Sequence, residues 1–538
     1  MIRAALFALV ASALASGCKR RPPPAPKPVP DAAVVVPSST TFVPRVTADG
    51  VPVGARVLLF DASGEPVRMG NLDVYGKRQG GAACAIATEV IGSYDGIVLA
   101  RGTGEIPVGV DGCVPSPAIK YGTYTVWAWR GVEYEIWKGT VDLSANRGVV
   151  ELPIALERVW TPTGTLAADL HVHAHASEDS LVPNPQRVIT QVAAGIQVVA
   201  LSDHNRNGDL DEEITALGLD DVIASIASNE LSSDVLHLGV YPVPVDKTRP
   251  RNGAKSDDEL RSESVANMFA HAASISPRPI IQVNHPRFRA VALFDNTGWD
   301  GVSWPPPFPT TFDAMEVLAG YTAFNVPGDR RFDESVRDFY TLTDHGLLVA
   351  PLGNSDTHDL NWVLDGTART YVRMPSSTFD EAAFIAALRA HRVVATTGPW
   401  IAVGAGPTET AKRVGPGEMV RSRRGTVWVD VALAQASFVK TERIRITIGG
   451  KDGPALAQQI DVPADVRTFH WAGAIAVGPR DTWIGVTADG DTALPLALTG
   501  SYQRDRWQRP GVTPYAIAAP ILVDGNGDRR WRAPRAPK

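Results

Sequence analysis

Nine of the chain's eleven histidines fall between His171 and His358, about a third of its 538 residues. Several of them sit where short apolar runs end. Leu166-Ala167-Ala168-Asp169-Leu170 runs into His171-Val172-His173, and Val198-Val199-Ala200-Leu201 ends in Ser202-Asp203-His204. The run from Val222 to Ser228 ends in Asn229-Glu230, with His237 seven residues after the glutamate. Ile280-Ile281-Gln282-Val283 ends in Asn284-His285, and Leu347-Leu348-Val349-Ala350 leads to Ser355-Asp356-Thr357-His358. Strand ends are the positions that face the mouth of a β/α barrel, so this placement gathers imidazoles and carboxylates at one face. Alternation along a strand points His171 and His173 to the same side, where they can share a metal. Asp179, six residues past His173, can return a carboxylate to the same place.

The rhythm around these residues is strand, loop, helix. Asn184 is placed to cap a helix with Pro185 in its first turn, Val188, Ile189 and Val192 recur at helical spacing, and Gly195 closes it. Thr378 and Glu381 form a capping-box pattern ahead of Phe384, Ile385 and Leu388. Repeated β-α units across residues 161–403 predict an α/β domain, a barrel of parallel strands, at about the size such barrels have. On either side the periodicity drops to two, as in Tyr124-Thr125-Val126-Trp127-Ala128-Trp129 and Val427-Trp428-Val429-Asp430-Val431. Residues 41–160 and 404–538 therefore read as two β-sandwich-like domains flanking the barrel.

In their order and spacing these motifs resemble the PHP (polymerase and histidinol phosphatase) superfamily, over the whole of the middle domain. Asn284-His285-Pro286-Arg287, Ser355-Asp356-Thr357-His358 and Thr397-Gly398-Pro399-Trp400 are most similar to the CehA/McbA branch, which includes a carbaryl hydrolase. The resemblance implies a distorted (β/α)7-type barrel and a cluster of metal ligands at His171, His173, Asp179, His204, Glu230, His237, His285, Asp356 and His358. A mixed imidazole and carboxylate set suits zinc, manganese or iron, and nine donors are too many for one ion, so two or three divalent metals are implied. Such a centre acidifies water and polarises a substrate oxygen. The expected activity is hydrolysis of a phosphoester or of a carbamate or carboxyl ester, with the nine ligands as the catalytic apparatus. Arg287, beside a ligand, is a candidate substrate contact through its fork of donors, and Arg206 and Arg369 are further loop candidates. The branch often follows its Glu-Val strand with Asn, whereas Glu316-Val317-Leu318 is followed here by Ala319, leaving Glu316 either a supporting or a purely structural residue. His175, His271, His345, His391 and His470 receive no role.

Arg3 followed by the apolar stretch from Ala4 to Ser16 reads as a signal peptide, too short to span a bilayer as a helix. Leu14-Ala15-Ser16-Gly17-Cys18 resembles a bacterial lipobox, with Ala15 where Leu is usual. Export, with residues 1–17 removed and Cys18 lipidated, is the expectation, and the partner is then a membrane reached through acyl chains. Residues 18–40, basic and proline-rich, form a tether that cannot pack a core. In an oxidising compartment Cys84 and Cys113 can bridge, and two separately buried thiols fit their spacing equally. Fifty-two basic against 58 acidic residues give a net charge of −6, which makes nucleic acid a poor first guess for partner. Asp524-Gly525-Asn526-Gly527-Asp528 imitates the start of an EF-hand loop, but Arg529 and Arg535 replace its required Gly and Glu, so a turn is expected. The rival to an enzyme is a surface-displayed, metal-containing binding protein that recognises a glycan, a wall component or another protein.

Overall fold

The structure is a computed structural model that describes residues 39–67, 90–93, 96–109, 119–302, 308–320, 330–360, 362–500 and 511–535. Cys18, Cys84 and Cys113 lie outside the described residues, as do the leader and most of the tether.

The N-terminal unit is two sheets over one core. Strand Thr40–Ala48 lies parallel to Gly148–Leu156 and antiparallel to Ile106–Val108 in the first sheet. The second sheet is five-stranded, with Ala55–Phe60 between Gly96–Leu99 and Thr123–Trp129. Side chains alternate across such strands, so Val57 and Leu59 from one sheet meet Phe42 and Val46 from the other in the shared interior.

The histidine-rich region is built from ten strands: β1 (Thr165–Val172), β2 (Val198–Leu201), β3 (Ala224–Ala227), β4 (Asn229–Ser232), β5 (His237–Tyr241), β6 (Ile280–Val283), β7 (Ala314–Ala319), β8 (Ala350–Asn354), β9 (Arg369–Arg373) and β10 (Val393–Thr396). Helices α1 (Asn184–Ala193), α2 (Arg330–His345) and α3 (Glu381–Arg389) pack among them. The expected closed barrel of parallel strands is not what forms. Of the described residues 38% are strand and 16% helix, and the ten strands divide between two sheets of mixed direction. In one, β3, β2 and β1 are parallel, while β9 and β10 continue antiparallel. In the other, β4, β5 and β6 are antiparallel, and only β6, β7 and β8 run parallel.

Loop length explains the departure. Only residues 233–236 separate β4 from β5, too few for the crossover that a parallel neighbour needs, so the two form a hairpin. At the other end, β10 does not close the ring. Its free edge pairs with a C-terminal strand, β12 (Tyr515–Asp524), so the sheet runs on to ten strands instead of curling shut. The two sheets meet through single bridges, Val172 to Thr357 and His204 to Glu230. Both bridges involve candidate ligands or their immediate neighbours.

Strand pairing crosses residue 403. Strand β11 (Trp400–Gly406) spans it and joins Thr426–Ala434 and Thr468–Ala476 in a three-stranded sheet. Val427, Val429 and Val431 of that sheet pack on Ile444, Ile484, Val486 and Ala516 of the continuous ten-stranded sheet. The C-terminal region therefore shares a sheet with strands that carry candidate ligands.

Two helix starts also differ from expectation. Pro183, not Asn184, precedes α1, and the Asn184 side chain reaches Glu213 instead. Asp380, not Thr378, caps α3 by accepting from the Ala383 N–H at 2.8 Å. Gly195, with φ 79°, does end α1.

Candidate metal centre

Strand ends deliver the donors. His171 and His173 leave β1, His204 follows β2, Glu230 sits in β4, His237 opens β5, His285 follows β6, and Asp356 and His358 follow β8. Asp179 comes from the loop between β1 and α1. All nine predicted residues fall into four overlapping groups, each with its donor atoms within 4.8 Å of one another: His173, Asp179, His204 and His358; His171, His173 and Glu230; His171, His285 and Asp356; and His204, Glu230 and His237. Buried His, Asp and Glu clusters of this kind could hold a metal ion.

Glu230 is the hub. Its Oε1 lies 3.1 Å from His171 Nε2 and 3.3 Å from both His237 Nδ1 and His285 Nε2. Its Oε2 lies 2.9 Å from His204 Nδ1. Asp356 Oδ1 stands between His171 Nε2 at 3.2 Å and His173 Nε2 at 3.3 Å, and Asp179 Oδ2 between His204 Nε2 at 3.1 Å and His358 Nε2 at 3.0 Å.

The surrounding hydrogen bonds decide which nitrogen of each ring faces inward. Glu316, left open by the sequence, accepts from His171 Nδ1 at 2.8 Å through Oε1 and from the His285 N–H at 2.6 Å through Oε2. Ser177 donates its one proton to Asp179 at 2.8 Å, so its oxygen can only accept from His173 Nδ1, 3.1 Å away. By the same logic Ser232 donates to the Glu230 carbonyl and accepts from His204 Nδ1 at 2.6 Å. The Asp356 carbonyl accepts from His358 Nδ1 at 2.9 Å. In each of these four rings Nδ1 therefore carries a proton and Nε2 faces the carboxylates. His171 Nε2 and His173 Nε2 are 3.1 Å apart, and His285 Nδ1 is buried without a hydrogen-bond partner among the described residues. Imidazole and carboxylate donors gathered at this spacing are a set that fits a metal ion.

The electrostatics agree. Burial disfavours the His171 imidazolium, yet Asp356, Glu230 and Glu316 outweigh it and hold its pKa well above the ordinary value. Burial would raise Glu230, but His171, His237 and His204 hold it well below the usual carboxylate range. Asp356 is treated likewise: burial is overcome by His171, His173 and His358, which bring it to about 2. Burial and the neighbouring His358 push His173 down to about 3, so it stays neutral and able to ligate. The backbone is strained at the same place, with φ 27° at His285 and 51° at Asp356, a region that residues with side chains rarely adopt.

The site opens to one side. Side chains of His171, His173 and Glu230 are at most 1% exposed, whereas Asp179 is 45%, His237 15% and His204 14% exposed. Arg287 is buried away from solvent. Its Nε donates to Asp338 at 2.6 Å and Nη1 to Asp295 at 2.9 Å, its guanidinium lies over Phe294, and only Nη2 lacks a partner among the described residues. Arg369 is a strand residue, not a loop one, and donates to the Gly366 and Ala194 carbonyls in the interior. His175 is exposed, its Nδ1 3.0 Å from Asn184 Oδ1. The segment from Asp524 to Asp528 is a turn in which Asp524 accepts from the backbone N–H groups of Gly527 and Arg529.

Sequence reasoning missed Ser177, Ser232 and Asn284, whose Nδ2 donates to Glu230 Oε1 at 2.8 Å. Each lies within four residues of a ligand, and short polar residues there were the available signal. It also missed Arg187 of α1, whose pattern marked only apolar positions. Comparison with protein-family models and with curated proteins gives no match for this chain.

Proposed function

We propose that this protein is a metal-dependent hydrolase of the PHP type, whose centre of two or three divalent ions acts on a phosphoester or on a carbamate or carboxyl ester. The observation that carries the reading is the overlap of the four donor groups. The four groups together bring nine donors, where a single ion would leave several idle, and Glu230 contributes to two of the groups. Bound there, zinc, manganese or iron would supply Lewis acidity and an acidified water. The chain's own residues do the rest. Glu316, Ser177, Ser232 and the Asp356 carbonyl hold ring protons outward so that Nε2 stays available. Asp179, His204 and His237 line the open side, where a substrate oxygen approaches. The order of the motifs supports placement in the superfamily. The leader supports export with Cys18 as the lipid anchor.

Elemental analysis of protein supplied with zinc, manganese and iron should find at least two equivalents. The loaded protein should hydrolyse a member of a panel of phosphomonoesters, phosphodiesters, aryl carbamates and carboxyl esters. At most one equivalent would remove the multinuclear centre, and full loading without turnover would favour a binding protein.

A further inference from the structure

The N-terminal β unit is joined to the metal centre by buried charge. Arg187 and Gln191, one helical turn apart on α1, share a face. The Arg187 guanidinium is fully buried. Its Nε donates to the carbonyl of His173 at 2.9 Å, and Nη2 to the carbonyls of Thr357 and Asp359 at 3.3 and 3.4 Å. One side chain thus ties the end of β1, with His171 and His173, to the loop carrying Asp356 and His358. Asp365 holds that guanidinium in place: its Oδ1 accepts from Arg187 Nη1 at 2.7 Å and from Gln191 Nε2 at 2.9 Å. Gln191 reaches on to Asp169, which accepts from the Ser355 N–H at 2.9 Å, next to Asp356.

The other oxygen of Asp365 faces a different unit. Arg56, from strand Ala55–Phe60 of the N-terminal sheets, places Nη2 at 3.6 Å from Asp365 Oδ2, with side chains 7% and 0% exposed. Around this pair α1 is packed against the N-terminal sheets. Val188 and Val192 share a core with Val98, Ala100 and Val132, and Arg130 donates to the Gly54 and Val192 carbonyls at 2.8 and 2.6 Å. Arg187 and Gln191 fix Asp365 Oδ1, and Arg56 is a cation facing Oδ2, so its removal leaves that buried oxygen without its counter-charge. We infer that Arg56, Asp365 and Arg187 form a positioning chain by which the N-terminal β unit holds the ligand loops at metal-binding geometry. The inference rests on the reading that the cluster binds metal. Arg187 acts on ligand backbone and Arg56 acts through Asp365, so the effect should diminish along the chain.

The test is metal affinity of the full-length protein by competition with a chromophoric zinc chelator, with circular dichroism and melting to confirm the fold. Arg187→Met should weaken zinc binding about 10- to 100-fold, the range seen when groups supporting metal ligands are lost. Arg56→Met should weaken it several-fold, and Arg56→Lys should recover part of that loss. Added to Asp365→Asn, Arg56→Met should have no further effect, because both lie on one path. Arg130→Met loosens the same interface without touching Asp365 and should leave affinity unchanged. Wild-type affinity in folded Arg56→Met, or an equal loss in Arg130→Met, overturns the chain while the metal reading stands. Absence of zinc binding by the wild-type protein overturns both.

Discussion

At the scale of single residues, the centre depends on which ring nitrogen carries a proton, and Glu316 does the most to decide it. Its two oxygens serve ligands from different strands, His171 of β1 and the backbone of His285 after β6. Glu316→Gln keeps the shape but replaces one acceptor by a donor. The amide must then face either the His171 Nδ1–H or the His285 N–H, donor against donor. We expect zinc affinity to fall about 10- to 100-fold, measured by chelator competition, with little change in the far-ultraviolet spectrum. An unchanged affinity would make Glu316 structural only.

At the scale of elements, the contact between α2 and the continuous sheet carries a titrating group. Asp344, in the last turn of α2, accepts from Trp483 Nε1 at 2.8 Å and from the Gly450 N–H at 3.2 Å. Burial nonetheless raises its carboxyl from 3.8 to about 6. A raised pKa means that the folded protein holds the proton more tightly than the unfolded chain. Its contribution to stability is fully present below about pH 4 and is lost as pH rises through about 6. Asp344→Asn keeps an acceptor and cannot ionise. The variant should therefore gain stability relative to the wild type between pH 4 and pH 7, by at most about 3 kcal/mol. Parallel denaturant titrations at the two pH values check it, and a constant difference between the proteins would refute it.

Elements also show how far the fold was legible. Most strands with candidate ligands were visible as apolar runs with a donor beside them, but Glu230 sits in its own short strand, β4, and not at the end of the run from Val222 to Ser228. Their direction was not. The hairpin between β4 and β5 and the parallel pair at β1 and β2 carry no directional signal of their own, and only the length of the intervening chain and the identity of the lateral neighbour separate them. The capping box at Thr378 failed for a related reason: Asp380 stands nearer the start of α3 and its carboxylate accepts from the same turn.

At the scale of the whole molecule, the N-terminal unit, the ligand strands and the C-terminal layer share packing and hydrogen bonds. Glu135 accepts from Ser437, Glu133 accepts from Tyr371, and β12 completes the edge of β10. Attachment to a surface is a proposal that rests on the leader. Among the described residues no helix is long and apolar enough to cross a membrane. If acyl chains on Cys18 supply the attachment, Cys18→Ser should move the protein from the membrane fraction to the soluble fraction of its host, checked by fractionation and immunoblotting. A processed variant that stays with the membrane would count against lipidation.

The sequence by itself determined the donor types and their placement at strand ends, because alternation and apolar periodicity are local properties of a chain. Only the tertiary structure decided which strands became neighbours, that the sheet opens onto β12 instead of closing, and that Glu316, Ser177, Ser232 and Arg187 stand behind the ligands. Those outcomes depend on loop lengths, on edge pairing and on contacts between residues such as His171 and Glu316, 145 positions apart, and no local pattern encodes them.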